Sequence, residues 1–301
     1  MCLEHLFVAK KSAKSAKSAK KQLTESRLGD IIIEPKEISE FKKGLAKHMG
    51  KILVFANEKG GIGKTTSAVN VAACMGAKGK KTLLIDSDPQ GNATSGVGIN
   101  KKTAGAGVYE VISGQVSAEK AAIKTKFDNL WLIPSNIALA GAAYELISRE
   151  NYNKLMKNAL EGIKDGFDYI VIDCPPSLGL LTVNALAAAD GVIIPMNCEF
   201  YALEGLSQMM LSIRQVKKTL NPQLDITGIL ITMFDRRLNL SKMVLDELKK
   251  YYKDKLLEPY VTRNVRLTEA PSFGEPIIYF DKSSKGAQAY EKLSLEIMKR
   301  I

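Results

Sequence analysis

No run of eighteen or more apolar residues occurs in the 301-residue chain, so a transmembrane helix is not expected. The opening MCLEHLFVAKK has too short an apolar stretch, and the wrong flanks, for a secretory signal. Cysteine is scarce: Cys2, Cys74, Cys174 and Cys198 stand far apart with no C-x-x-C pair. That spacing argues against a disulfide framework or a thiolate zinc site, and for free thiols in a reducing cytoplasm. Large apolar residues are missing from residues 10–21, KKSAKSAKSAKK, so this K-S-A repeat cannot bury a core and is expected to be disordered. Two readings of the repeat stay open, a solvated linker and a tail whose lysines touch nucleic-acid phosphates.

What remains is the composition of a soluble globular protein. The chain is 46% hydrophobic and 25% charged, enough to bury a substantial core in one large α/β domain or two small ones. The net charge is +11, with 11 Lys and Arg against 6 Asp and Glu in residues 1–48, and 32 against 26 in residues 49–301. The main body is mildly basic, which favours a polyanionic partner without identifying one. Met49 begins MGKILVFANEKGG, the start expected of a self-contained α/β domain. Residues 1–48 are therefore read as a basic extension, either accessory or the product of an upstream start codon, and 49–301 as a single domain.

From residue 51 onward apolar runs alternate with helical patterns. Strands are expected at 51–57, 81–88, 129–135, 169–176, 191–197 and 226–234. Helices are expected at about 64–78, 152–164, 180–190, 202–220, 240–252 and 286–301. Strands this uniformly apolar, separated by helices, predict a mostly parallel sheet covered by helices on both faces. In such sheets ligands bind beyond the carboxyl ends of the strands.

The chemistry lies there. The stretch NEKGGIGKTT, residues 57–66, lacks the first glycine of G-x-x-x-x-G-K-[ST]; position 58 holds Glu58. Gly60, Gly61 and Gly63 nevertheless suit a loop whose N–H groups converge on phosphate oxygens, with a helix N-terminus behind it. Lys64 is expected to reach the β- and γ-phosphates, the Thr65 hydroxyl to bind Mg²⁺ directly, and Thr66 to add a donor. Asp173 ends the run YIVID, the position from which a carboxylate contacts Mg²⁺, usually through water. Asp86 and Asp88 alternate at the end of another strand. Asp86 is expected near the metal, and Asp88 is placed to orient or activate the water that attacks the γ-phosphate. These residues together predict a Mg²⁺-dependent site that hydrolyses a nucleoside triphosphate, in a P-loop NTPase fold.

KGGIGKTT, LLIDSDPQGNATSGVG, YIVIDCPPSLGLLTVNALAAAD, CEFYALEGLSQ and RNVRLTEAPSFGEPI, in that order, resemble the ParA/Soj partition ATPases. These are P-loop proteins with a deviant Walker A motif, related to MinD and the nitrogenase iron protein. The resemblance runs from about Met49 to the C-terminus. Its loop pattern, K-G-G-x-G-K-T, does not require glycine at 58, although Glu58 departs from the glutamine expected there.

The resemblance implies several roles. Lys59 is the signature lysine that crosses to the partner subunit's nucleotide when two ATP-loaded monomers form a sandwich dimer; without the resemblance it reads as an exposed loop lysine. The dimer is expected to bind double-stranded DNA without sequence preference through Arg237 and Arg266, with Arg263 and Arg236 as weaker candidates. Intrinsic ATP turnover is expected to be low and stimulated by DNA and a ParB-type centromere-binding partner, in a cycle that moves chromosome or plasmid origins. The protein is then expected in the cytoplasm, on the nucleoid. A MinD-like membrane-associated positioning ATPase is an alternative, but no stable membrane anchor is expected. A regulator that contacts a replication initiator is another. Cys174 and Cys198 show none of the cysteine context of the iron–sulfur relatives and are expected to be buried structural thiols.

Overall fold

The computed structural model describes residues 50–301; the extension expected over 1–48, with Cys2 and its lysine repeat, lies outside the described residues. The strands are β1 (Lys51–Phe55), β2 (Thr82–Asp86), β3 (Ile123–Lys124), β4 (Leu130–Ile133), β5 (Tyr169–Asp173), β6 (Gly191–Asn197) and β7 (Asp225–Thr232). Helices α1 (Lys64–Ala77), α2 (Asn92–Gly96), α3 (Val108–Ile112), α4 (Ala118–Ala121), α5 (Leu139–Leu146) and α6 (Leu155–Leu160) fall before β5. They are followed by α7 (Leu180–Ala188), α8 (Ala202–Thr219), α9 (Asn239–Tyr252), α10 (Val265–Glu269), α11 (Ile277–Phe280) and α12 (Lys285–Arg300).

The sheet runs β3-β4-β2-β5-β1-β6-β7, and only the short edge strand β3 is antiparallel to its neighbour. Because side chains alternate across a strand, each apolar strand feeds two cores. Ile52, Val54, Ile85 and Ile172 face one layer, with α3 to α9; Leu53, Phe55, Leu84 and Val171 face the other, under α1, α11 and α12. The expectation of a mostly parallel sheet covered on both faces holds, with helices on each side.

Helix α1 is enclosed nearly all round, because α12 covers the side that does not touch the sheet. Tyr290 of α12 is fully buried there, and its hydroxyl pairs with Ser67 Oγ of α1 at 3.0 Å. Tyr290, Leu293 and Ile297, part of the apolar pattern of the last helix, are packed into this core. No described helix is long and apolar enough to cross a membrane.

Two loops meet backbone to backbone beside α2. Gly98 (φ 75°) and Gly274 (φ 63°) both adopt the left-handed conformation. A Cβ on Gly274 would stand 2.6 Å from Gly98 Cα, and one on Gly98 would stand 2.9 Å from the Gly274 carbonyl oxygen. Neither position has room for a side chain.

The predicted boundaries differ most at 152–164. Helix α6 occupies only Leu155–Leu160, and a 3₁₀ turn follows at Lys164–Gly166. Asn184 of α7 explains the late start: its Oδ1 accepts from Met156 N at 3.1 Å and its Nδ2 donates to the Tyr152 carbonyl at 2.8 Å. The amide and carbonyl that an earlier turn would use are thereby satisfied from a neighbouring helix. Gly162 then marks the end, where a Cβ would come within 2.7 Å of Glu119 Oε1.

Candidate functional site

Five strands end at one place. The loop after β1, Asp86 at the end of β2, Asp173 at the end of β5, Asn197 at the end of β6 and Thr232 at the end of β7 lie along the carboxyl edge of the sheet. Parallel pairing sets the alignment, with Asp173 the register partner of both Phe55 and Asp86, and Asn197 that of Thr232.

A cavity of about 750 Å³ opens above this edge. Its walls bring together Gly60, Gly61, Gly63, Lys64, Thr65, Thr66 and Asp88. Gly63 is the N-cap of α1 with φ 82°, a left-handed geometry that glycine adopts without strain and that turns the loop into the helix. No side chain caps α1, so its first amides are free to meet an anion.

Lys64 is buried, and its Nζ donates to the Lys59 carbonyl at 2.7 Å. Burial lowers its pKa below the ordinary lysine value, while the Asp173 and Asp88 carboxylates oppose that shift. Asp173 shows the converse. Burial, then the adjacent Asp86, push its pKa well above the carboxylate range, against the pull of Thr65 and Lys64. The Thr65 hydroxyl is near Asp173 but satisfies neither carboxylate oxygen, and both are buried without a hydrogen-bond partner.

An ionised carboxylate left this way is costly, by at least 1–3 kcal/mol on the order of a lost hydrogen bond. The donor set fits Mg²⁺, a hard cation that takes oxygen ligands. Thr65 and Asp173 would hold it, and when bound it would neutralise phosphate charge. Among the described residues no cluster of three or more His, Cys, Asp or Glu side chains could hold a metal by itself. Phosphate oxygens and water would therefore complete the coordination.

Asp86 is committed elsewhere. Its Oδ2 accepts from Thr94 N and Thr94 Oγ1, each at 2.7 Å, and its Oδ1 accepts from Asp88 N at 3.3 Å. Burial still pushes its pKa up to about 6, against those bonds. Asp86 thus anchors α2 and sets the approach of Asp88 to the cavity. Asp88 is buried at the rim, with Oδ1 accepting from Gln90 N at 2.9 Å.

Lys59 is absent from the cavity lining and lies half-exposed in an ion pair with Glu199. The arginines divide. Arg263 lines the cavity. Arg237 is 86% exposed and pairs with Asp235 at 2.7 Å. Arg266 is held by Glu269 at 2.6 Å and Asp281 at 2.9 Å, with its guanidinium 4.4 Å from the centre of the Phe280 ring. Arg236 is exposed. Cys174 and Cys198 are buried free thiols, as expected, and so is Cys74.

The far wall of the cavity, Thr232, Met233, the 261–265 segment, Leu267 and Pro271, has no counterpart among the residues singled out from sequence, apart from Arg263. Met233, with φ 51°, is a rare left-handed non-glycine residue. The 261–265 segment is tied to β7 by the bonds Val261 N to Ile231 O and Phe234 N to Val261 O, both 2.9 Å. The one advance signal was the motif RNVRLTEAP, which overlaps this wall.

Comparison with known proteins adds to this geometry. A family model described as an AAA domain matches residues 50–226. The chain is 51% identical over 249 residues to the sporulation initiation inhibitor protein Soj of Bacillus subtilis, covering 83% of this chain and 98% of that protein. It is 48% identical to the chromosome partitioning protein ParA of Myxococcus xanthus, covering 84% and 89%. Among solved structures, cobyrinic acid a,c-diamide synthase from Mycobacterium smegmatis with bound ADP and magnesium superposes with a TM-score of 0.73 at 35% identity, covering 83% of this chain and 95% of that one.

Proposed function

The chain belongs to the ParA/Soj family of partitioning ATPases, and on that premise we propose an ATP-switched cycle that positions chromosome or plasmid DNA. The protein is an ATPase that uses ATP and Mg²⁺. In the proposed cycle Gly60, Gly61, Gly63 and Thr66 cradle the phosphates with backbone and hydroxyl donors. Lys64 leaves the Lys59 carbonyl for the β- and γ-phosphates. Thr65 and Asp173 hold Mg²⁺, Asp86 fixes the Asp88 loop, and Asp88 orients the attacking water.

The observation that carries this reading is the buried Asp173 carboxylate, whose oxygens have no hydrogen-bond partner, close to Thr65 and Lys64. A structural acid in that place would have partners; a metal-holding one need not.

Lys59 is proposed to act across a dimer, exchanging Glu199 for the partner subunit's triphosphate, which would make association depend on ATP. Arg237, Arg266 and Arg263 are proposed to meet DNA phosphates, giving binding that weakens steeply with salt and ignores sequence. A ParB-type centromere-binding protein is the proposed stimulating partner, with the nucleoid as the site of action. Residues 1–48 are proposed to be an accessory basic extension of the ATPase domain.

The test is ATP turnover measured alone, with nonspecific DNA, with lipid vesicles and with a ParB-type partner. Stimulation by DNA and partner is expected. Stimulation by vesicles alone would replace this reading with a membrane-associated one.

A further inference from the structure

Thr232 ends β7 with its side chain buried, 2% exposed, under the glycine loop. Its Oγ1 lies 2.7 Å from the Ile62 carbonyl oxygen and 3.1 Å from that of Met196; its single proton is donated chiefly to the nearer, which ties β7 to the loop. Its side chain also supports the next residue from below: the Thr232 Cγ2 stands 3.6 Å from where a Cβ on Gly63 would lie. Ile62 is itself buried.

A peptide unit is planar and trans, so the carbonyl of one residue and the N–H of the next point in opposite directions. A hydroxyl that holds the Ile62 carbonyl toward β7 therefore turns the Gly63 N–H away from Thr232. Gly63 is left-handed and has no Cβ, so its own side adds little steric restraint to that plane.

We propose that Thr232 is a positioning residue for phosphate binding: its hydroxyl locks the Ile62–Gly63 peptide plane and aims the Gly63 amide at the nucleotide phosphates. The inference rests on the reading that the 60–66 loop holds those phosphates. Thr232 also lines the cavity and precedes the left-handed Met233, so the same residue joins the phosphate loop to the far wall.

The experiment compares Thr232→Val, which keeps the shape and removes the hydroxyl, with Thr232→Ser, which keeps the hydroxyl. ATP and inorganic tripolyphosphate are the titrated probes. Thr232→Val is expected to weaken both by about tenfold, the scale of one buried hydrogen bond left unmade. It should raise KM for ATP while kcat stays within about threefold, because the water-orienting groups are untouched. Thr232→Ser is expected to bind both probes within about twofold of the parent, even if the lost methyl lowers the melting temperature. If Thr232→Val does not fold, Thr232→Ser against Thr232→Ala isolates the same hydroxyl. Unchanged affinity without the hydroxyl, or equal weakening with and without it, overturns the proposal. Lys64→Ala is the control: tripolyphosphate binding at parental strength in that variant would sink the phosphate-loop reading itself, whatever Thr232 does.

Discussion

Asp86 and Asp173 are register partners on adjacent parallel strands, two buried carboxylates side by side at the edge of one sheet. Their surroundings divide the work. Asp86 is saturated by Thr94 and the Asp88 amide, and Asp173 has no partner. The first is built into the scaffold, and the second is left for a ligand.

Asp173→Asn should therefore have opposite effects on stability and on turnover. Asn removes the buried ionisable carboxyl and its repulsion with Asp86, so the melting temperature without Mg²⁺ should rise. Mg²⁺-dependent hydrolysis should fall at least about a hundredfold. Calorimetry with and without Mg²⁺, beside a turnover assay, checks both; a destabilised variant would mean the carboxylate makes a structural contact.

Asp88→Ala should keep ATP binding and lose hydrolysis by about 10²–10⁴-fold, the usual contribution of a positioned acid or base. Equilibrium nucleotide binding and single-turnover hydrolysis separate the two. Parental turnover would remove Asp88 from the chemistry.

Lys59→Ala breaks the ion pair with Glu199 and removes the cation proposed to cross the dimer. Nucleotide binding by the monomer should persist while the ATP-dependent dimer weakens, as read by sedimentation. A dimer of normal strength would return Lys59 to an ordinary loop residue. Both partners are substantially exposed, so the pair itself contributes little to stability.

Arg237→Ala and Arg266→Ala should differ before they agree. Arg237 pairs with Asp235, whereas Arg266 bridges Glu269 and Asp281, so its loss leaves two carboxylates without their shared cation. Thermal melts should show the larger loss for Arg266→Ala. In the double variant DNA retention should drop, and the slope of log affinity against log salt should shallow by about one unit per phosphate contact removed. DNA affinity that survives intact would place the contact surface elsewhere.

The thiols give a prediction at mild alkaline pH. Burial pushes Cys74 up to about 12 and Cys198 up to about 11, and Cys174 higher still. In a Cys2→Ser background at pH 8, a disulfide reagent should find almost no reactive thiol until the protein is unfolded. Fast labelling of the native variant would contradict the buried placement.

Legibility in the sequence followed the range of the forces involved. Strand β6 is bounded as its apolar run predicts, residue for residue, because a fully buried strand stops where its hydrophobic run stops. The 51–57 run, by contrast, yields only Lys51–Phe55, since Ala56 and Asn57 already belong to the loop. The short helices α2 to α5 leave no periodic signal in the sequence because their turns rely on tertiary bonds, as Asp86 shows by holding Thr94. In the site, Gly60 to Thr66 and Asp88 could be grouped in advance because phosphate chemistry demands those residue types after strands. Thr232, Met233 and the 261–265 wall could not. They carry no residue type peculiar to hydrolysis, and only the pairing of β6 with β7 brings them back over a loop some 170 residues earlier.

The contact between Gly98 and Gly274 bears on how this protein can change over generations. Gly98 closes the segment that begins with Asp88, and Gly274 closes the one that carries Arg266. Since each backbone fills the space a side chain on the other would need, the two segments share one allowance for variation. A larger residue at either place requires the opposite loop to retreat. Glycine is already the smallest residue, so a change at one position has no offset at the other, and both should stay glycine through descent unless a loop changes in length.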